Sequence, residues 1–333
     1  MHDDSAQDVS PARNRRGWLA PALIGSAAAL GITALYSAAK AREAEDRYPP
    51  IGRFITVNGV RLHYIERGEG EPLVLIHGNG TMAEDFLVSG IVDELAERYR
   101  VIIIIDRPGY GYSERPRALW TPRAHARLYQ AALNRLGVSQ AVVLGHSWGS
   151  LVAVALALQA SQLVRSLVLA SGYYYPTLRA DVFLFSPPAI PVIGDVMRYT
   201  VSPVISRLIL PSLIKAMFAP AEVPERFDKL FPKALMLRPS QLRAAAEDAA
   251  LMTPVAVELQ QHYRDLRLPV VIITGAEDQI VDVGRQSERL HSEVANSEFV
   301  AVPGIGHMIH HLSPEQVIRA IDRAAERSPA KIP

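Results

Sequence analysis

Six short apolar runs, each ending at a glycine or an acid, constrain this chain most. They are Leu73–Ile76 before Gly78, Val101–Ile105 before Asp106, Ala141–Leu144 before Gly145, Leu167–Leu169 before Gly172, Val270–Ile273 before Gly275 and Phe299–Val302 before Pro303-Gly304. None of the runs alternates with polar residues. Successive side chains of a strand point to opposite faces, so a strand that is apolar throughout needs cover on both sides. A mostly parallel sheet flanked by helices meets that need. Helical patterns at 82–98, 122–136, 148–160, 284–294 and 314–326 fall between the runs and supply the cover. Ser313-Pro314 opens the last of them with a cap and an early proline. Ahead of the first run, Arg53–Val57 and Arg61–Glu66 alternate and are joined by Asn58-Gly59, a hairpin signature.

The rhythm breaks once. Between Ala170 and Pro269 about 100 residues pass without a strand pattern, holding helical apolar patterns and many prolines, among them Pro187-Pro188, Pro203, Pro211 and Pro239. A structureless loop of that length is out of place inside a compact domain. The stretch reads as an inserted helical cap.

The N-terminus is a separate matter. Trp18 to Ala39 carries no charged residue, follows Arg13, Arg15 and Arg16, and is closed by Lys40, Arg42 and Arg47. As a helix it would reach roughly 30 Å, the hydrocarbon thickness of a bilayer. Its leucines and isoleucines are spread around the helix rather than along one stripe, which favours a membrane anchor over a helix lying on the domain. The competing reading is an export signal cleaved near Ala39-Lys40-Ala41. The tight basic cluster before the span puts the N-terminus inside and the following domain outside the cytoplasm. The expected organisation is therefore a disordered basic segment at 1–17, a transmembrane helix at 18–39, a linker at 40–50, core at 51–172, cap at 173–255 and core again at 256–333.

A net charge of +1 gives no electrostatic case for nucleic acid. With no cysteine in the chain, disulfides, thiolate metal sites and cysteine nucleophiles are excluded. No motif for a metal, nucleotide or other cofactor is present.

The chemistry lies in Gly145-His146-Ser147-Trp148-Gly149, a G-x-S-x-G pattern between a strand and an alanine- and leucine-rich helix. Chance supplies roughly 0.1 such matches in a chain this long, so the setting and the partners must discriminate. Asp278 follows the strand at 270–273, with Glu277 as its neighbouring rival. His307, in Gly304-Ile305-Gly306-His307, follows the next strand, with His310 and His311 close by. Catalytic groups in such sheets gather at the carboxyl ends of strands. The order Ser147, Asp278, His307 suits a nucleophile, an orienting acid and a general base. The oxyanion of acyl transfer needs two donors, assigned to the backbone N–H groups of Trp148 and of Asn79 in the turn His77-Gly78-Asn79-Gly80.

Taken with Asp106-Arg107-Pro108-Gly109-Tyr110-Gly111-Tyr112-Ser113, these motifs make residues 53–326 resemble the capped branch of the α/β-hydrolase superfamily. The resemblance implies an α/β-hydrolase core with an inserted cap, a structural role for Asp106, and supporting roles for His77 and His146. The pairing of Asn79 with Trp148 resembles the halide-binding pair of haloalkane dehalogenases. Those enzymes carry an aspartate nucleophile where this chain has Ser147, and a serine attacking an alkyl halide would be left as an ether. The expected activity is therefore hydrolysis of a small apolar carboxylic ester, at a membrane. An amide or peptide bond (as in proline iminopeptidases), a lactone and a C–C bond remain open alternatives, and a silent binding protein is a remote one. Tyr173, Phe185 and Phe218 are the candidate pocket residues.

Overall fold

The computed structural model describes residues 19–103, 105–177 and 186–328. Eight strands form one sheet in the order β1-β2-β4-β3-β5-β6-β7-β8. β1 (Arg53–Val57) and β2 (Val60–Arg67) make the antiparallel hairpin. Its turn is closed by Asn58 and Gly59 at φ 51° and 77°, the left-handed pair that an Asn-Gly hairpin turn requires. β2 also pairs antiparallel with β4 (Tyr99–Ile103). From there the sheet is parallel through β3 (Glu71–Ile76), β5 (Ala141–His146), β6 (Val164–Ala170), β7 (Val270–Gly275) and β8 (Ser297–Val302).

The continuous apolar runs are explained by two cores. On one face Val74, Ile76, Val143, Leu167 and Ile272 pack with Leu128 and Leu133 of α4 (Pro122–Arg135) and Leu151 and Leu156 of α5 (Trp148–Gln159). On the other, Leu73, Leu75, Val142, Val168 and Val271 pack with Phe86 of α2 (Glu84–Ser89), Ile91 and Leu95 of α3 (Ile91–Leu95), and Val317 and Ile321 of α12 (Pro314–Glu326). The single helix expected at 82–98 is two, because Gly90 turns left-handed at φ 91° and ends α2.

No strand occurs among the described residues between β6 and β7, as the missing pattern implied. That insertion holds α6 (Ile193–Met197), α7 (Val201–Phe218), α8 (Glu225–Leu230) and the 21-residue α9 (Pro239–Leu259). Ile214, Phe218, Phe227, Phe231 and Leu235 give it a small core of its own, which also takes in Met82, Val88 and Met308 from the sheet domain. Two short helices, α10 (Arg289–Glu293) and α11 (Ile309–Leu312), follow β7 and β8.

The N-terminal helix differs from expectation. α1 runs from Leu19 to Arg47 without a break, so residues 40–47 are helical rather than a linker. The reason is packing. Ser37 and Ala44 are buried, and Ala44 joins the insertion's core. Glu45 pairs with Arg238 at 3.0 Å, and the Tyr112 hydroxyl donates to the Tyr48 carbonyl. Residues 24–32, by contrast, are exposed throughout. Among the described residues the helix long and apolar enough to cross a membrane is not N-terminal but α7, of which 22% is buried. The expectations for residues 1–17 and for Trp18 lie outside the described residues.

Candidate active site

Three strand ends build the site. β5 ends at His146, and the chain turns so sharply into α5 that Ser147 sits at φ 53°, ψ −122°, a conformation costing an L-residue of order 1–3 kcal/mol. The flanking glycines are required by their neighbours. A side chain on Gly149 would meet the Ile76 carbonyl oxygen of β3 at 2.3 Å, and one on Gly145 would meet the Gly149 carbonyl oxygen at 2.6 Å. Hydrogen bonds from the Ser147 N–H to the Ala170 carbonyl (2.9 Å) and from the Ser150 N–H to the Ser147 carbonyl (3.0 Å) hold the bend.

The His307 loop follows β8 and is strapped to the end of β7 by the Glu277 N–H on the Ile305 carbonyl at 3.1 Å. Gly306 leaves room for the Ala219 carbonyl oxygen, which a β-carbon would meet at 2.0 Å. His307 thus arrives with Nε2 2.9 Å from Ser147 Oγ and Nδ1 2.8 Å from Asp278 Oδ2. All three expected residues come together in one hydrogen-bonded line. Glu277 is exposed and takes no part. Asp278 combines two roles. Its Oδ1 caps its own turn, accepting from the N–H groups of Ile280 (2.8 Å) and Val281 (3.0 Å), which leaves Oδ2 aimed at His307.

The turn after β3 lies alongside. Gly78 is so close to the elbow that a side chain there would stand 3.1 Å from the Ser147 β-carbon. This brings the turn that carries Asn79 beside the elbow that carries Trp148. The two side chains, however, are turned away into α9. Asn79 Nδ2 donates to the Ala245 carbonyl at 3.3 Å, and Trp148 Nε1 donates to the Asp248 carbonyl at 3.2 Å. The Tyr110 hydroxyl oxygen lies 2.6 Å from Asn79 Oδ1 and 2.8 Å from Asp248 Oδ2, so its single proton is shared between the two acceptors. The resemblance to a halide-binding pair is therefore one of residue types, because Trp148 Nε1 has its one N–H, and Asn79 Nδ2 one of its two, bonded into α9.

The expected supports are in place. Asp106 accepts from the Ala83 N–H (2.9 Å), the Tyr112 N–H (2.9 Å) and His63 Nδ1 (2.7 Å), and so fixes its own loop. His77 accepts the Arg107 N–H at Nε2 (2.9 Å) and donates from Nδ1 to the Gly78 carbonyl (2.9 Å). Burial and then the Arg107 charge push the His77 pKa down to about 4. His146 donates from Nε2 to the His307 carbonyl at 3.1 Å, and burial followed by the charge of His310 holds it well below the usual imidazole range.

Two buried clusters were not legible beforehand. Arg107 pairs with Asp248 of α9, which also receives Arg115 at 3.1 Å and the Tyr110 hydroxyl at 2.8 Å. Burial would raise the Asp248 pKa, but Arg107 and Arg115 outweigh it and lower it. Nothing near Asp248 in the sequence marks it, since its partners lie more than a hundred positions away. Asp85 takes His310 Nε2 at 3.1 Å and His311 Nε2 at 2.8 Å. These three offer ligand atoms within 4.8 Å of one another. Their mutual hydrogen bonds already account for the cluster.

Of the candidate pocket residues, Tyr173 borders an open cavity of about 370 Å³ with Thr177, Asp278, Ile280, Arg285 and Gln286. Phe218 does not line it. Its ring packs on Phe227 at 4.9 Å and on His311 at 5.6 Å inside the insertion. Phe185 lies outside the described residues.

The pattern of the alpha/beta hydrolase fold family matches residues 71–314. An uncharacterized protein of Mycobacterium tuberculosis is 28% identical over 299 residues, covering 85% of this chain and 83% of that one. A protein of the same organism named haloalkane dehalogenase 2 is 33% identical over 147 residues, covering 42% of this chain and 50% of that one. An esterase from a Rhodococcus species superposes with a TM-score of 0.65 at 24% identity, over 83% of this chain and 98% of the esterase. A membrane phospholipase A described as a bacterial virulence factor superposes with a TM-score of 0.64 at 21% identity, over 93% of this chain and 97% of that one. At those identities the two structures speak for the fold.

Proposed function

Because the chain belongs to the alpha/beta hydrolase fold family, we propose that it is a serine hydrolase of small apolar carboxylic esters, tethered to a membrane through α1. The observation that carries the reading is the unbroken line Ser147 Oγ, His307 Nε2, His307 Nδ1, Asp278 Oδ2, with links of 2.9 and 2.8 Å. His307 takes the Ser147 proton as Oγ attacks the ester carbonyl, and Asp278 stabilises the imidazolium. The backbone N–H groups of Asn79 and Trp148 receive the developing oxyanion, helped by the N-terminal end of α5. The tetrahedral centre then collapses to the acyl-serine, and His307 returns its proton to the departing alkoxide. Water, deprotonated by His307, releases the acid by the same steps in reverse.

Dehalogenation, the activity named for one relative, does not suit this chain. Ser147 would end as an unhydrolysable ether, and the two side-chain donors that would hold a halide are bonded to α9. The test is a panel of matched esters, amides and lactones on the purified full chain, with fluorophosphonate labelling alongside. Labelling lost in Ser147→Ala together with turnover of esters above amides is the expected result. Turnover of amides alone would shift the reading to a peptidase-type bond, and no labelling at all would overturn it. For the tether, the full chain is expected to sediment with membranes and to resist a high-salt wash. Recovery in the soluble fraction at unprocessed mass would remove that part of the reading.

A further inference from the structure

Most of the large apolar side chains that the described residues leave exposed fall in two segments, the N-terminal part of α1 and residues 190–213 of the insertion. In α6 and α7, Val196, Val204, Ile205, Leu208 and Leu213 are all exposed, Leu208 to 75%. A soluble surface does not leave an apolar patch of this extent bare without a partner.

The two segments adjoin. Arg207 Nη1 donates to the Tyr36 hydroxyl at 2.9 Å, and Pro203 and Arg207 line a crevice with Ser37, Lys40 and Ala41. The level of this contact along α1 matters. From Leu19 to Tyr36 the helix rises about 26 Å, a little less than a bilayer's hydrocarbon thickness. An α1 that enters the membrane must therefore be immersed nearly to Tyr36, the kind of residue that marks the headgroup level. Arg207 reaches Tyr36 at that level, and the exposed Leu208 follows it directly on α7, with Val204 and Ile205 exposed within the preceding turn. Charge agrees. Residues 186–218 contain one acid, Asp195, and it is already held by Arg117 (2.7 Å) and Arg198 (2.9 Å). Arg207 and Lys215, both exposed, remain beside the apolar face. An apolar helix face with cations at its margin suits the boundary of an anionic bilayer.

We infer that α7 docks on the membrane surface beside α1, so that the insertion faces the bilayer and the acyl substrate reaches Ser147 from lipid rather than from water. The inference rests on the tethered-hydrolase reading above and specifies its substrate as membrane-resident. α7 also links the two places. Its exposed face lies beside α1, and its C-terminal end delivers the Ala219 carbonyl into the space left by Gly306, next to His307.

The chain has no cysteine, so single labels can be placed at will. The experiment uses the full chain in vesicles of phosphatidylcholine and phosphatidylglycerol, with an environment-sensitive fluorophore on Leu208→Cys and, as control, on Arg319→Cys in α12. The expected result is a blue shift of the Leu208 label and loss of its emission to bromine-bearing acyl chains, with neither at Arg319. A chain that pellets with vesicles while its Leu208 label stays water-like overturns the docking and leaves the tether standing. A blue shift without quenching by lipid overturns it in favour of a second copy covering the face. A chain that stays in the supernatant removes tether and docking together, and fluorophosphonate labelling of Ser147 then decides the hydrolase reading separately.

Discussion

Ser147, the proposed nucleophile, shows how little of a side chain's setting lies in its own chemistry. Its side chain is placed by a backbone at φ 53° that only its surroundings enforce. Replacement by glycine, which adopts that φ freely, should leave the fold more stable than Ser147→Ala by about 1 kcal/mol in urea unfolding, with turnover lost in both. A less stable Ser147→Gly would mean that the elbow is not strained. Ser147→Ala and His307→Ala should each lower ester turnover by several orders of magnitude. Their combination should cost little more than either alone, since the residues act as one unit. Additive losses in that double variant would argue against a shared proton path. The sequence reading reached Ser147, Asp278 and His307 because each follows an apolar strand run within a few residues, so local pattern predicts which sheet edge it meets. It separated Asp278 from Glu277 by motif. The physical reason appears only in the structure, where a turn-capping Oδ1 leaves Oδ2 free to face His307.

Among the elements, α9 and α1 bind the insertion to the sheet domain. Asp248 of α9 is fully buried against Arg107, and Asp248→Ala would strand a buried guanidinium, at a cost of about 3–5 kcal/mol. The same change frees the Arg107 contacts to the His77 and Gly78 carbonyls, so turnover should fall with stability. An unfolding midpoint equal to the parent's would show that the pair is dispensable. The structure also moves the boundary of the folded unit. A chain begun at residue 51 loses the buried Ser37 and Ala44 and the Glu45–Arg238 pair, whereas one begun at residue 33 keeps them. The shorter form should melt several degrees lower in calorimetry. Equal melting would restore residues 40–50 to the status of a linker. The helix pattern before Lys40 was visible, but its continuation to Arg47 depends on contacts with residues about 190 positions away, as in the Glu45–Arg238 pair, which no local pattern encodes.

At the scale of the whole molecule, buried titratable groups set how stability follows pH. His125, between the rings of Trp120 and Trp148, has its pKa pushed down by burial to about 3, and His77 to about 4. Both stay neutral when folded, while in the unfolded chain they bind protons near pH 6.5. Stability is therefore full above 6.5 and is lost as pH falls towards 4 and 3. Burial, with the charge of Asp106, raises Glu84 to about 7, which has the opposite sense. Its contribution is present below pH 4.5 and lost as pH rises through 7, at most about 3 kcal/mol. His125→Phe should flatten the acid side of the melting-temperature profile. Glu84→Gln should raise the melting temperature at pH 8 and leave it unchanged at pH 4. Profiles parallel to the parent's in both variants would refute this account.

The sequence alone determined the parallel sheet, its helical cover, the hairpin and the three residues of the site. Each depends on a local rule: side-chain alternation along a strand, the left-handed demand of a tight turn, and the close approach that only glycine allows. Tertiary structure decided what depends on distant pairing. It turned the Asn79 and Trp148 side chains into α9, placed Phe218 in the insertion's core instead of the pocket, and joined Asp85 to His310 and His311. It also laid α1 against α7, so that two apolar segments far apart in the chain share one face. A hydrophobic pattern states that a side chain needs cover, but which element provides it is set by packing between residues that the chain brings together only on folding.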